Sequence, residues 1–73
     1  MGRIVVQPDV CNGRPVIEGT RIAAHTVLDF LAAGDSREEI LRAYPSLRDE
    51  DIDACLAFAS RLLESRYTLE PAS

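Results

Sequence analysis

Within the segment from Gly13 to Ala24, GRPVIEGTRIAA, the chain places two glycines, a proline and two arginines ahead of its first helical pattern. Gly13 and Gly19 admit backbone angles with φ > 0 that bulkier residues resist. Pro15 fixes its own φ and drives Arg14 into an extended conformation. The segment therefore reads as a shaped, rigid ribbon that presents Arg14 and Arg21 at fixed positions. A chain built this way must fold as a ribbon followed by helices.

Short strands flank the first of these turns. Ile4-Val5-Val6 is β-branched and suits a strand. Asn12-Gly13 is a strong hairpin signal, because a type I′ turn needs φ > 0 at both central residues. Pro15-Val16-Ile17 then reads as a second strand, with Pro15 at its start or on an edge, and Glu18-Gly19 as a further turn. Two small strands cannot stand alone in water; they pack on helices or pair with the same strands of a second chain.

From Ala24 the period changes. Val27, Leu28, Leu31 and Ala32 fall on one face of a helix that ends at Gly34. Ser36-Arg37-Glu38-Glu39 is a capping box, opening a helix with Ile40, Leu41 and Tyr44 inward and Pro45 at its end. Leu47 plugs the next connection. A third helix starts near Asp49, where three acids suit the positive end of the helix dipole. Its core face is Ile52, Cys55, Leu56, Ala59, Leu62 and Leu63, at helical spacing. The expected architecture is mainly α: a β-ribbon or arm over 1–23, a three-helix bundle of helix-turn-helix connectivity over 24–66, and a mobile tail over 67–73.

Size and charge narrow the function. Seventy-three residues make a single domain, and a chain this short buries only about 60% of its unfolded surface, so it leans on a staple or on a second copy of itself. No apolar run approaches the ~20 residues that span a bilayer, and the N-terminus lacks the apolar core of a signal peptide; cytoplasmic residence is the expectation. Cys11 and Cys55 lack zinc-site spacing and read as free thiols, Cys55 as a small core residue. No cofactor or metal is expected. The net charge of −4 lies entirely in residues 35–73, since residues 1–34 carry three arginines against three acids. All eight basic residues are Arg, a bias that either reflects coding or serves bidentate recognition.

The ordered motifs Gly13-Arg14-Pro15-Val16-Ile17-x-Gly19-Thr20-Arg21-Ile22, Leu31-Ala32-Ala33-Gly34, Glu38-Glu39-Ile40-Leu41, Tyr44-Pro45-x-Leu47 and Asp51-Ile52-x-Ala54-x-Leu56-Ala57-x-Ala59 resemble the domain-of-unknown-function 433 family. The resemblance runs over residues 4–63. It implies a homeodomain-like or winged three-helix fold and dimerisation. Many members are described as VapB-type antitoxins, often beside a PIN-domain ribonuclease toxin. Two positions depart from the family pattern: Ala23 stands where Pro is usual, and Arg48 where Thr is usual before the third helix. Ala23 thereby removes a pre-set first helical turn, and Arg48 removes a hydroxyl cap for which Asp49 can substitute.

Three functional classes follow. A DNA-binding regulator docks the start of its last helix in the major groove, but here that start is Asp49, Glu50, Asp51 and Asp53, which repel phosphate. Contact with operator DNA is therefore expected from Arg14, Arg21 and His25, with Arg48 adding one cation beside the acids. Arg21 has a second reading, as a fork tying the ribbon to the helix through Glu18 or carbonyl groups. An antitoxin binds its toxin with Arg61, Arg66, Tyr67 and Leu69 near the C-terminus, an arginine meeting a carboxylate cluster. The alternative is a homodimeric interaction module that binds no DNA. The dimer interface is assigned to Ile4, Val6 and Phe30, the last lying off the main apolar stripe of its helix. Catalysis is rejected: His25 has Asp29 one turn away but no nucleophile or metal set, and a phosphate loop would need a lysine.

Overall fold

The structure, a computed structural model, describes residues 3–66, the last two by their backbone alone. The expected tail, with Tyr67 and Leu69, lies outside the described residues. Strand β1 (Ile4–Val6) pairs antiparallel with β2 (Pro15–Ile17), in the register Ile4–Ile17, Val5–Val16, Val6–Pro15. Helices α1 (Ala24–Ala32), α2 (Arg37–Ala43) and α3 (Asp49–Arg66) follow. The mainly α architecture behind a short ribbon agrees with the sequence.

Strand β2 is the centre of the ribbon. On its other side Ile17 N–H donates to the Ile22 carbonyl at 3.0 Å, and Val16 bridges Ala23. The chain thus folds back on β2 before α1 begins. Gly19 has φ +84° and Thr20 N–H donates to the Ile17 carbonyl at 3.0 Å, the pattern of a type II turn with glycine at its third position. The Thr20 hydroxyl donates to the same carbonyl at 2.8 Å and accepts from Ile22 N–H at 3.0 Å. With neighbours on both edges, Val16 and Ile17 are buried although successive strand residues face opposite ways.

The ribbon turn differs from expectation. Asn12 and Gly13 do adopt positive φ, 57° and 76°. They are not, however, the centre of a two-residue type I′ turn, because Val6 pairs with Pro15 and the connection runs from Gln7 to Arg14. They end a left-handed turn that already begins at Cys11.

Below the ribbon, Ile17, Ala24, Val27, Ile40, Leu47, Ile52 and Cys55 form the core. Burial pushes the Cys55 thiol up to about 11, which makes it an inert core group. Leu28 and Leu31 are half-buried against this core while Ala32 is exposed, so the buried stripe of α1 runs through Ala24 and Val27. The expected core face of α3 is half right. Ile52 and Cys55 are buried, but Leu56, Leu62 and Leu63 are 42%, 40% and 63% exposed. The physical reason is length: α3 has 18 residues against nine in α1 and seven in α2, so its second half runs past everything that could cover it.

The helix ends follow local chemistry. Gly34, φ +97°, closes α1 in a Schellman motif: Asp35 N–H donates to the Phe30 carbonyl and Gly34 N–H to that of Leu31, each at 3.0 Å. At α2 the capping box is complete, Glu39 N–H donating to the Ser36 hydroxyl at 3.2 Å and Ser36 N–H to the Glu39 carboxylate at 2.8 Å. At α3 only half survives. Arg48 N–H donates to the Asp51 carboxylate at 2.9 Å, but the arginine side chain offers no acceptor, and Asp51 N–H turns to the Arg48 carbonyl instead. Asp51, not Asp49, supplies the cap.

These termini make two expectations. Ser36→Ala should lower stability by about 1 kcal/mol, and Arg48→Thr, which restores the missing acceptor, should raise it by a similar amount, both read from urea midpoints at neutral pH. Hydrogen bonds from Ser36, backbone first, hold the Glu39 carboxyl below its ordinary 4.5. A depressed folded value means that the contribution is present at neutral pH and lost as pH falls below that ordinary value through the depressed one. A Glu39→Gln variant should accordingly show a flatter acid limb in its stability profile.

Candidate nucleic-acid interface

The loop that carries Arg14 is shaped by an unfavourable conformation. A left-handed backbone costs an L-residue roughly 1–2 kcal/mol, yet Cys11 has φ 50° in sequence with Asn12 and Gly13. The turn is closed by Gly13 N–H to the Val10 carbonyl at 3.0 Å and Arg14 N–H to that of Cys11 at 3.1 Å. The Cys11 thiol donates to the Arg21 carbonyl at 3.0 Å. That one S–H···O bond ties the loop bearing Arg14 to the link bearing Arg21.

It also separates the two readings of Arg21. Its backbone carbonyl helps to hold the ribbon, whereas its exposed guanidinium makes no hydrogen bond or ion pair among the described residues. The same is true of the exposed Arg14 guanidinium. Neither fork is occupied by a structural duty.

Arg14, Arg21 and His25 line one open cleft of about 360 Å³, together with Cys11, Asn12, Thr26 and Tyr44. Its floor is the start of α1, where Ala23 is the N-cap, with no side-chain cap and no acid in the first turn. Four backbone N–H groups open a helix without helical partners, and they leave partial positive charge at that end. The other two helix starts are acidic: Glu38 and Glu39 in α2, and Asp49, Glu50 and Asp51 in α3. Among the described helices, α1 alone presents its positive end unopposed. It does so between two arginines and a histidine, an arrangement that suits a phosphate-sized anion.

The start of α3 has internal work. Arg37 Nη2 donates to Asp53 Oδ1 at 2.6 Å, and Arg37 Nη1 lies 3.6 Å from Asp49 Oδ1. The Asp53 hydrogen bond raises the Arg37 pKa above its ordinary value. This tie joins α2 to α3 and went unread in the sequence, since Arg37 and Asp53 lie sixteen residues apart with no periodic signal linking them. The Cys11 bond was equally hidden; only the neighbouring Asn12-Gly13 pair hinted that its backbone would be unusual.

The remaining candidates lie elsewhere. Arg48 precedes α3, where its N–H donates to Asp51, and it does not line the cleft. Arg61 lines a second cleft, of about 370 Å³, with Arg3, Ile4, Ala54 and Ala57. Arg66 ends α3, with its side chain outside the described set. Ile4 is half-buried against the core, Val6 is 60% exposed, and Phe30 packs edge-to-face on Tyr44 with ring centroids 5.8 Å apart.

The family model described as Protein of unknown function (DUF433) matches residues 4–59. The chain belongs to the DUF433 family. A crystal structure of a DUF433 member protein from Anabaena variabilis superposes with a TM-score of 0.78 at 33% identity, covering 84% of this chain and 60% of that one. An uncharacterized protein of Sinorhizobium fredii, y4eO, is 39% identical over 56 residues, which are 77% of this chain and 25% of that protein. This DUF433 chain therefore spans a quarter of one relative and three fifths of the other. No described helix is long and apolar enough to cross a membrane.

The thiol tie has a direct consequence. Cys11→Ala should keep the DUF433 fold but speed amide exchange at Gly13 and Arg14, while Cys11→Ser, which keeps a donor, should stay near wild type when both are followed by NMR.

Proposed function

We propose that this chain is a non-catalytic, DNA-binding regulator of the antitoxin type, which meets the phosphate backbone of its operator through the Arg14–Arg21–His25 cleft. The observation that carries the reading is electrostatic. Two arginines with no ion pair among the described residues, and a histidine, line a cleft at the one described helix start that has neither a side-chain cap nor an acid, in a chain whose net charge is −4. The acidic start of α3, already engaged by Arg37, is unsuited to deep docking in the major groove. Phosphate contacts position a protein on the duplex and make its affinity depend on salt.

The antitoxin half of the reading is supported by the second cleft and by the family resemblance. Arg3 and Arg61 line that cleft beside the small residues Ala54 and Ala57, and arginine forks suit the clustered carboxylates of a PIN-domain ribonuclease.

Binding of the chain to a duplex from its own promoter, followed by fluorescence anisotropy, tests the first half. Arg14→Ala/Arg21→Ala should weaken binding at fixed salt and reduce the slope of log K against log salt by about 2. Arg48→Thr should change neither greatly. Unchanged affinity in the double variant overturns the assignment of the cleft. For the second half, co-expression with the adjacent reading frame should give a complex that Arg3→Glu/Arg61→Glu disrupts, and neither complex nor relief of growth inhibition would defeat it.

A further inference from the structure

The cleft at the start of α1 shares a wall with a second concave site. A groove of about 250 Å³ runs between α1 and α3, and its lining of Pro15, Ala24, Leu28, Phe58, Ala59 and Leu62 is apolar. Arg14 and His25 also line it, and they are the two residues common to both sites. No carboxylate lines either one. The groove is open because α3 outruns the helices beside it, which leaves Leu62 40% exposed. It is an apolar slot with cations along one rim.

We propose that this groove binds a small apolar carboxylate, a ring-sized hydrocarbon body on a short arm that ends in the acid. Size sets the body. A dry cavity of roughly 150 Å³ takes a benzene ring, so about 250 Å³ holds a ring with a short arm. Charge sets the head group. Arg14 and His25 are exposed, and neither makes a hydrogen bond or ion pair among the described residues. Arg14 carries its guanidinium on a flexible stem that can fold over the mouth of the groove. A carboxylate there accepts two parallel N–H bonds from the arginine and a further one from the imidazole. A neutral apolar ligand fills the slot and leaves both cations unused; an inorganic anion meets the cations and leaves the slot in water. A ligand with both parts uses both features.

The shared residues couple the two sites, a consequence that rests on the DNA reading of the first cleft. A carboxylate that holds Arg14 over the groove withdraws it from a phosphate in the cleft, so ligand and operator compete. Binding of the carboxylate itself stands whether or not that cleft meets DNA.

NMR of the full chain titrated with hydrocinnamate, a phenyl ring on two methylenes and a carboxylate, tests the site. Methyl shifts should centre on Ala24, Leu28, Ala59 and Leu62. Hydrocinnamamide, which lacks the charge, and propionate, which lacks the ring, should each bind at least about tenfold more weakly. Arg14→Gln should weaken the acid about tenfold and leave the amide unchanged. Ala59→Phe, whose ring fills the groove, should abolish binding of the acid; if that variant fails to fold, Arg14→Gln, at an exposed position, still decides. In a second arm, hydrocinnamate added to the chain on a duplex from its own promoter should release the duplex. A duplex that never binds defeats the DNA reading alone, because the NMR arm uses no DNA; a duplex that binds and is not released defeats the competition. Absence of hydrocinnamate binding, as when a second copy of the chain covers the groove, would overturn the proposal. So would equal affinity for acid and amide, or shifts centred elsewhere.

Discussion

A three-residue strand with hydrogen-bonding neighbours on both edges holds this small fold in place. Strand β2 takes β1 on one side and the returning Ile22–Ala23 segment on the other. Only because both edges are satisfied can Val16 and Ile17 be buried without leaving backbone groups unpaired. Ile17 then enters the core with Ala24, Val27 and Ile52, and α1 starts where the returning segment ends. The turns on either side of β2 exist to make that return tight. Gly19 supplies the positive φ of one; the left-handed run from Cys11 to Gly13 supplies the other.

The same return path creates the site. It brings Arg14, from the loop before β2, and Arg21, from the link after it, to one end of α1. The thiol of Cys11 and the carbonyl of Arg21 join the two segments without using either guanidinium group. Charge is segregated around this arrangement. Acids gather at the starts of α2 and α3, where they satisfy backbone donors and bind Arg37, and they are absent from the start of α1. In a chain with negative net charge, the start of α1 thereby differs from the other two helix starts in carrying no acid.

Several local signals in the sequence held, although the two-residue turn at Asn12-Gly13 and the cap from Asp49 did not. The Ser36–Glu39 box, the Gly34 helix stop and the positive φ of Asn12, Gly13 and Gly19 all depend on residues within a few positions of each other, and all are present. Periodicity located α3 and its apolar stripe, yet it could not say how much of that stripe the domain would cover. Leu56, Leu62 and Leu63 match the pattern of a core face and lie beyond the core, because burial depends on how far the neighbouring helices reach. Arg14, Arg21 and His25 were legible as candidates from their types and their glycine-rich setting. Their convergence on one cleft, without Arg48, was not.

By itself, the sequence determined the order of ribbon and helices, the end of α1 and the start of α2, the segregation of charge and the family to which the chain belongs. Each of these is written in short-range chemistry or in ordered motifs. The tertiary structure alone decided that Arg37 would occupy Asp49 and Asp53, that the Arg21 backbone rather than its side chain would brace the ribbon, and that half of α3 would stand uncovered. Those outcomes depend on distances between segments far apart in the chain, and such distances are set only when the core closes.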